Sequence, residues 1–225
     1  MTAFIEAIII FAVLFFRIFS ITAISEPSAA MPDGTAAVIP VEFSVFSETT
    51  KIFSYTIPAI ALIWYLLLKV KNFKDWGIGM PQKKDIFALL ISLPALVLIS
   101  ITIYFVSSFI DPNTMPVNRQ LPPQTVFSWS ILVFSCICSA FLEESYFRFY
   151  LLSKREDMKL NTNTAVILSA LLFSYCHFYE GPWGFLNAAL SGVVLSFTFL
   201  RFRSLYGITA AHALYNILAF SLGTA

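Results

Sequence analysis

An all-α, polytopic bundle of about seven membrane-spanning helices is the fold this sequence predicts, and three observations predict it. Hydrophobic residues make up 58% of the 225 and charged residues only 12%, whereas a soluble domain carries about 25% charged residues. Seven apolar stretches reach or approach the roughly 20 residues a helix needs to cross the hydrocarbon core. The connections between those stretches alternate in basic content from one end of the chain to the other.

In chain order the expected spans are Thr2–Ile24, Ile52–Val70, Ile86–Ile110, Val126–Leu152, Thr164–Phe178, Trp183–Leu200 and Leu205–Leu222. Their length and lack of two-residue alternation exclude transmembrane strands. The first has a small-residue stretch after it, "SAA" at Ser28–Ala30, that could end a signal peptide. It also has Glu6, no basic start and a long apolar run, so a retained anchor is expected; cleavage would leave six spans. Pro58 and Pro94 fall inside the second and third spans and should kink them. The fifth is short, so it should be tilted or extended at its ends. In the sixth, Ala188, Gly192 and Ser196 form a small-xxx-small face for close helix approach.

Lys69, Lys71, Lys74, Lys83, Lys84, Lys154, Arg155, Lys159, Arg201 and Arg203 all fall in alternate connections, while the others hold only Lys51 and Arg119. By the positive-inside rule this places the N-terminus inside and the C-terminus outside a cell membrane, expected to be bacterial. The longer connections, Ser25–Lys51 and the proline-rich Pro112–Gln124, then lie outside, and "DWGIGMPQKKD" at Asp75–Asp85 is a turn at the inner interface. A net charge of +1 offers no basic field for nucleic acid. Cys136, Cys138 and Cys176 sit in apolar runs without disulfide or zinc-ribbon spacing. The expected organisation is one membrane domain, with scaffold spans in 1–123 and a polar, catalytic core in 124–225.

The polar residues of that core are few. "AFLEESYFRFYLL" puts Glu143, Glu144 and Arg148 into an otherwise apolar run, at a cost of roughly 2.5–3.5 kcal/mol for each charge at mid-membrane. Glu144 and Arg148 stand four apart, glutamate first, the favoured order for an ion pair on one helix face. Glu143 is turned about 100° away and is left to face something else. A carboxylate in low dielectric resists ionisation, the property a general base near neutral pH needs. "FSYCH" sets Phe173 one turn from His177 on the fifth span, and "HALYN" sets His212 one turn from Asn216 on the seventh. At about 1.5 Å per residue, Glu143 lies roughly 18 Å from Arg155, while His212 and Asn216 lie roughly 14 and 20 Å from Arg203. His177 comes out nearer the outer boundary, so its helix should tilt or begin late.

Taken singly, each group has a plainer use. Glu144–Arg148 could simply fix helix register. A lone histidine, the His212–Asn216 pair or Asn187 could be an interhelical clasp, and Cys176 a packing residue. Together, a carboxylate, two imidazoles and an amide on otherwise apolar helices point to function.

These residues resemble a known family. "EESYFR", "FSYCH" and "HALYN" fit EExxxR, FxxxH and HxxxN, in order, the signatures of the CPBP intramembrane proteases, which include the CAAX prenyl endopeptidase and bacterial Abi-type proteins. The resemblance covers about the last 95 residues. It implies an endopeptidase in which Glu143 and His177 activate a water, His212 and Asn216 stabilise the oxyanion, and Glu144, Arg148 and Phe173 support the site. The substrate would be a hydrophobic, prenylated or membrane-associated peptide within the bilayer. HExxH is absent, so this is no ordinary zincin, yet Glu143, His177 and His212 could hold a divalent metal such as zinc. The competing readings are a proton-coupled transporter, or an immunity or regulatory protein that binds a peptide without cutting it. No inverted repeat supports the transporter.

Overall fold

The computed structural model describes residues 2–22, 42–68, 79–110 and 121–222. The expected leader-cleavage point at Ser28–Ala30, most of the Pro112–Gln124 loop and the first part of the Asp75–Asp85 turn lie outside these residues. Every regular element among the described residues is helical. Seven helices result: α1 (Thr2–Thr22), α2 (Val45–Leu67), α3 (Lys83–Ile110), α4 (Val126–Ser153), α5 (Thr162–Tyr175), α6 (Gly181–Phe202) and α7 (Leu205–Leu222). Five of them, α2, α3, α4, α6 and α7, are long and apolar enough to cross a membrane. The chain is an integral, multi-pass membrane protein.

The starts of the helices follow local chemistry. Side-chain oxygens of Ser44, Thr125 and Asn161 accept from the backbone N–H groups of Ser47, Ser128 and Thr164, capping α2, α4 and α5. Pro182 opens α6, where no N–H is needed. Ser204 caps α7 through Gly207 N–H at 3.0 Å and donates to Asp85 Oδ1 at 2.5 Å, which ties the start of α7 to the start of α3. That contact explains Gly207: an added Cβ would lie 2.3 Å from the Asp85 carbonyl.

Each helix turns one stripe inward. On α2 the buried positions are Ile52, Thr56, Ala59, Ile63 and Leu67, and on α3 Ala88, Ser92 and Leu96, spaced three or four apart as a helix face requires. The opposite faces of α1 and α3 expose Ile9, Val13, Leu98 and Phe105, as lipid contact demands. α5 lies so close to α6 that a Cβ on Gly192 would meet Ala170 at 3.0 Å, as the small-residue face led one to expect.

Two expectations are corrected, and one feature is added. α2 begins at Val45 rather than Ile52, because Ser44 caps it, so Glu48 and Lys51 belong to the helix. α5 stops at Tyr175 instead of reaching Phe178; the chain turns at Cys176–His177 into a short 3-10 turn at Phe178–Glu180. Finally, α2 and α4 each contain a π-helical turn, at Ile52–Thr56 and Ser145–Tyr150.

Candidate active site

The site is built around the π turn of α4. Its widened spiral closes with Leu151 N–H donating to Tyr146 O, five residues back, and such turns often sit at functional sites. All six of its residues are buried. Tyr146 donates to Ala7 O of α1 at 2.6 Å, Tyr150 to Glu6 Oε1 at 3.0 Å, and Ser169 of α5 to the Phe147 carbonyl at 2.7 Å. Phe11 and Phe15 of α1 pack against Tyr146 and Phe147, with centroids 4.9–6.2 Å apart. Sequence reasoning passed over these anchors; the one visible signal was the pair of tyrosines one turn apart in "EESYFRFY".

The two glutamates diverge as their spacing implies. Glu144 is fully buried, and its Oε1 accepts from Arg148 Nη1 at 2.8 Å and from His212 Nδ1 at 2.8 Å. Arg148 also lies over the ring of Phe173, 4.3 Å from the centroid, a cation–π contact that a desolvated guanidinium favours. Glu143 keeps 22% of its side chain exposed, and its Oε2 stands 3.7 Å from His212 Nε2. That is within ion-pair range and beyond a hydrogen bond.

The hydrogen bonds define the histidines. A carboxylate only accepts, so His212 carries a proton on Nδ1 and turns Nε2 towards Glu143. His177 Nδ1 lies 3.0 Å from the Phe173 carbonyl, which also only accepts, leaving its Nε2 without a hydrogen bond among the described residues. Phe173 is the hub: His177 packs on its ring at 4.6 Å and His212 meets it edge-on at 5.7 Å. Tyr179 stacks on the outer side of His177 at 6.4 Å. His177 stands past the end of α5 and is held back onto it by the Phe173 carbonyl. The late start expected for α5 is not seen, since it begins at Thr162.

Asn216 lies one turn beyond His212, half-buried, and has no side-chain hydrogen bond among the described residues. Its neighbour Tyr215 is held firmly. Ser100 of α3 donates to Asn187 Oδ1 at 3.0 Å, Asn187 Nδ2 to Tyr215 Oη at 3.0 Å, and Tyr215 contacts Ser100 Oγ at 2.6 Å. Asn187 is therefore the helix–helix clasp its position suggested. Cys176 is buried with its thiol against the Leu172 carbonyl. Among the described residues no three His, Cys, Asp or Glu side chains are grouped to hold a metal, so Glu143, His177 and His212 do not form a ready ligand set. Glu144 Oε2, Ser145 Oγ, and Arg148 Nε and Nη2 are buried without a hydrogen-bond partner among the described residues. Polar atoms of this kind are where buried water binds.

Residues 125–218 match the sequence family described as Rce1-like, type II CAAX prenyl endopeptidase Rce1-like. Over this segment, which is less than half of the chain, the sequence is similar to the CAAX prenyl endopeptidases. The matched stretch runs from the cap of α4 into α7 and holds Glu143, Glu144, Arg148, Phe173, His177, His212 and Asn216. That family, by its description, is one of peptide hydrolases. No curated protein and no solved structure matches the chain.

Proposed function

We propose that this protein is an endopeptidase that hydrolyses a hydrophobic, prenylated or membrane-associated peptide with water activated by Glu143. One observation carries the reading: of two adjacent glutamates, Glu144 is committed to Arg148 and His212, while Glu143 stays partly exposed and faces His212 Nε2 at 3.7 Å. Glu143 takes a proton from water as the oxygen attacks the scissile carbonyl. His212, when protonated on Nε2, and Asn216 donate to the developing oxyanion; losing one such donor typically costs about 3–4 kcal/mol of transition-state stabilisation. Glu144 holds the His212 ring and balances its charge. The C–N bond then breaks, and the proton held by Glu143 passes to the leaving amine, with His177 Nε2 in the role of relay. Every step in this scheme uses protein side chains and water. The basic connections further support an N-terminus inside and a C-terminus outside.

The test is cleavage of prenylated and unmodified peptides by purified protein in lipid. Glu143→Ala and His177→Ala are expected to lose at least about a hundredfold in rate, about 2.7 kcal/mol of barrier, while unfolding like wild type. Full activity in Glu143→Ala would sink the mechanism. Peptide binding without cleavage by any form would favour the regulatory reading.

A further inference from the structure

Past the end of α5, His177 has little backbone to hold it. Its N–H donates to Ser174 O at 2.9 Å and its carbonyl accepts from Glu180 N–H at 3.0 Å, so a tight turn carries the ring in place of a continuing helix. The imidazole is met by the Phe173 carbonyl at 3.0 Å, the Phe173 ring at 4.6 Å and the Tyr179 ring at 6.4 Å, the last within 21° of parallel. Phe173 is itself buried against Arg148 and His212. Tyr179 is 46% exposed and takes its anchor from the next residue. Its hydroxyl donates to the Glu180 carboxylate. Glu180 in turn folds back over the first turn of α6, into the space that Gly184 leaves: a Cβ there would lie 2.3 Å from Glu180 Cβ and 2.8 Å from its Oε2. The same phenol is within electrostatic reach of Glu143.

We propose that Tyr179, anchored by Glu180, is a positioning residue for the hydrolysis, its ring holding the His177 imidazole so that Nε2 is the nitrogen presented to the reaction. This rests on the hydrolase reading above and adds to it two residues that the EExxxR, FxxxH and HxxxN patterns leave out. With Nδ1 committed to the Phe173 carbonyl, Nε2 is the nitrogen able to take a proton and pass it on, and it does so only while the ring keeps this orientation. Water competes for a single hydrogen bond at a half-buried helix end. A flat aromatic face beside the ring closes off that rotation. A side chain that merely shielded His177 from lipid would need neither the hydroxyl nor the carboxylate that holds it.

The imidazoles can be read directly, because the chain has only two histidines. Protein carrying isotope-labelled histidine is studied by NMR in lipid nanodiscs, at a pH above the usual imidazole range. His177 is expected as a single tautomer with its proton on Nδ1 and a nuclear Overhauser contact to the Tyr179 ring. A wild-type His177 that averages both tautomers, or lacks that contact, overturns the proposal without any variant having to fold. Tyr179→Ala should average the two His177 nitrogens and leave those of His212 in place, which also reports an intact fold; unchanged His177 nitrogens overturn the proposal. In peptide cleavage the same variant is expected to lose about ten- to a hundredfold in kcat, the scale of a misplaced catalytic group, with KM altered less than about twofold. Tyr179→Phe and Glu180→Ala both spare the ring and remove only its anchor, so each should lose about threefold. A Tyr179→Phe protein as impaired as Tyr179→Ala would move the role to the hydroxyl, and a raised KM with kcat intact would make Tyr179 a substrate contact; either result overturns the proposal. Tautomer averaging in Tyr179→Ala, with no cleavage by any form, would uphold the placement of His177 and count against hydrolysis.

Discussion

The two π-helical turns of this protein, in α2 and α4, share a backbone deviation and differ in its cause. In α2 the turn at Ile52–Thr56 is followed by Pro58, which has no N–H and whose ring crowds the carbonyl four residues back. The repair is local. Ile57 N–H reaches Ile52 O, and the hydroxyls of Ser54 and Thr56 take up the carbonyls of Thr50 and Lys51. In α4 the turn at Ser145–Tyr150 contains no proline, and its supports come from elsewhere: Ser169 on the Phe147 carbonyl, the α1 contacts of Tyr146 and Tyr150, and the Glu144–Arg148–His212 chain of bonds. One deviation accommodates a residue. The other is held in place by the whole bundle, and it carries the site.

Three substitutions break or sharpen that contrast. Arg148→Leu strips the partner from a fully buried carboxylate. It should cost about 3–5 kcal/mol, read as a loss of thermal stability in detergent, and adding Glu144→Gln should recover much of it. Ser169→Ala removes the hydroxyl that donates to the Phe147 carbonyl; about 0.5–1.5 kcal/mol is expected, together with reduced peptide cleavage as the turn loosens. Pro58→Ala should change stability by no more than about 0.5 kcal/mol and leave cleavage unaltered, because only the local cause of the α2 turn is removed. A loss of activity in Pro58→Ala as large as that in Ser169→Ala would erase the distinction.

Much of this was readable beforehand, for reasons of range. Spans and the Glu144–Arg148 pair depend on residues within one or two turns, and their spacing alone places them. The division between Glu144 and Glu143 follows from the same arithmetic. Pro58 announced a disturbance in α2, although not its π form. By contrast, no local pattern marks the π turn of α4, because its stabilising partners lie in α1 and α5. His177 looked helical by spacing and stands past the end of α5, bonded back to Phe173 O. The Ser100–Asn187–Tyr215 network joins three helices, so only one of its members drew notice.

From the amino acids alone came a multi-pass helical membrane protein, its spans, and the short list of polar residues worth their insertion cost, since hydrophobic length and helical period are properties of contiguous chain. Which nitrogen of each histidine faces the site, that His212 joins Arg148 on Glu144 and how the α4 backbone opens were decided by the packed bundle. Those features are hydrogen bonds between helices, and they exist only once distant segments have been brought together.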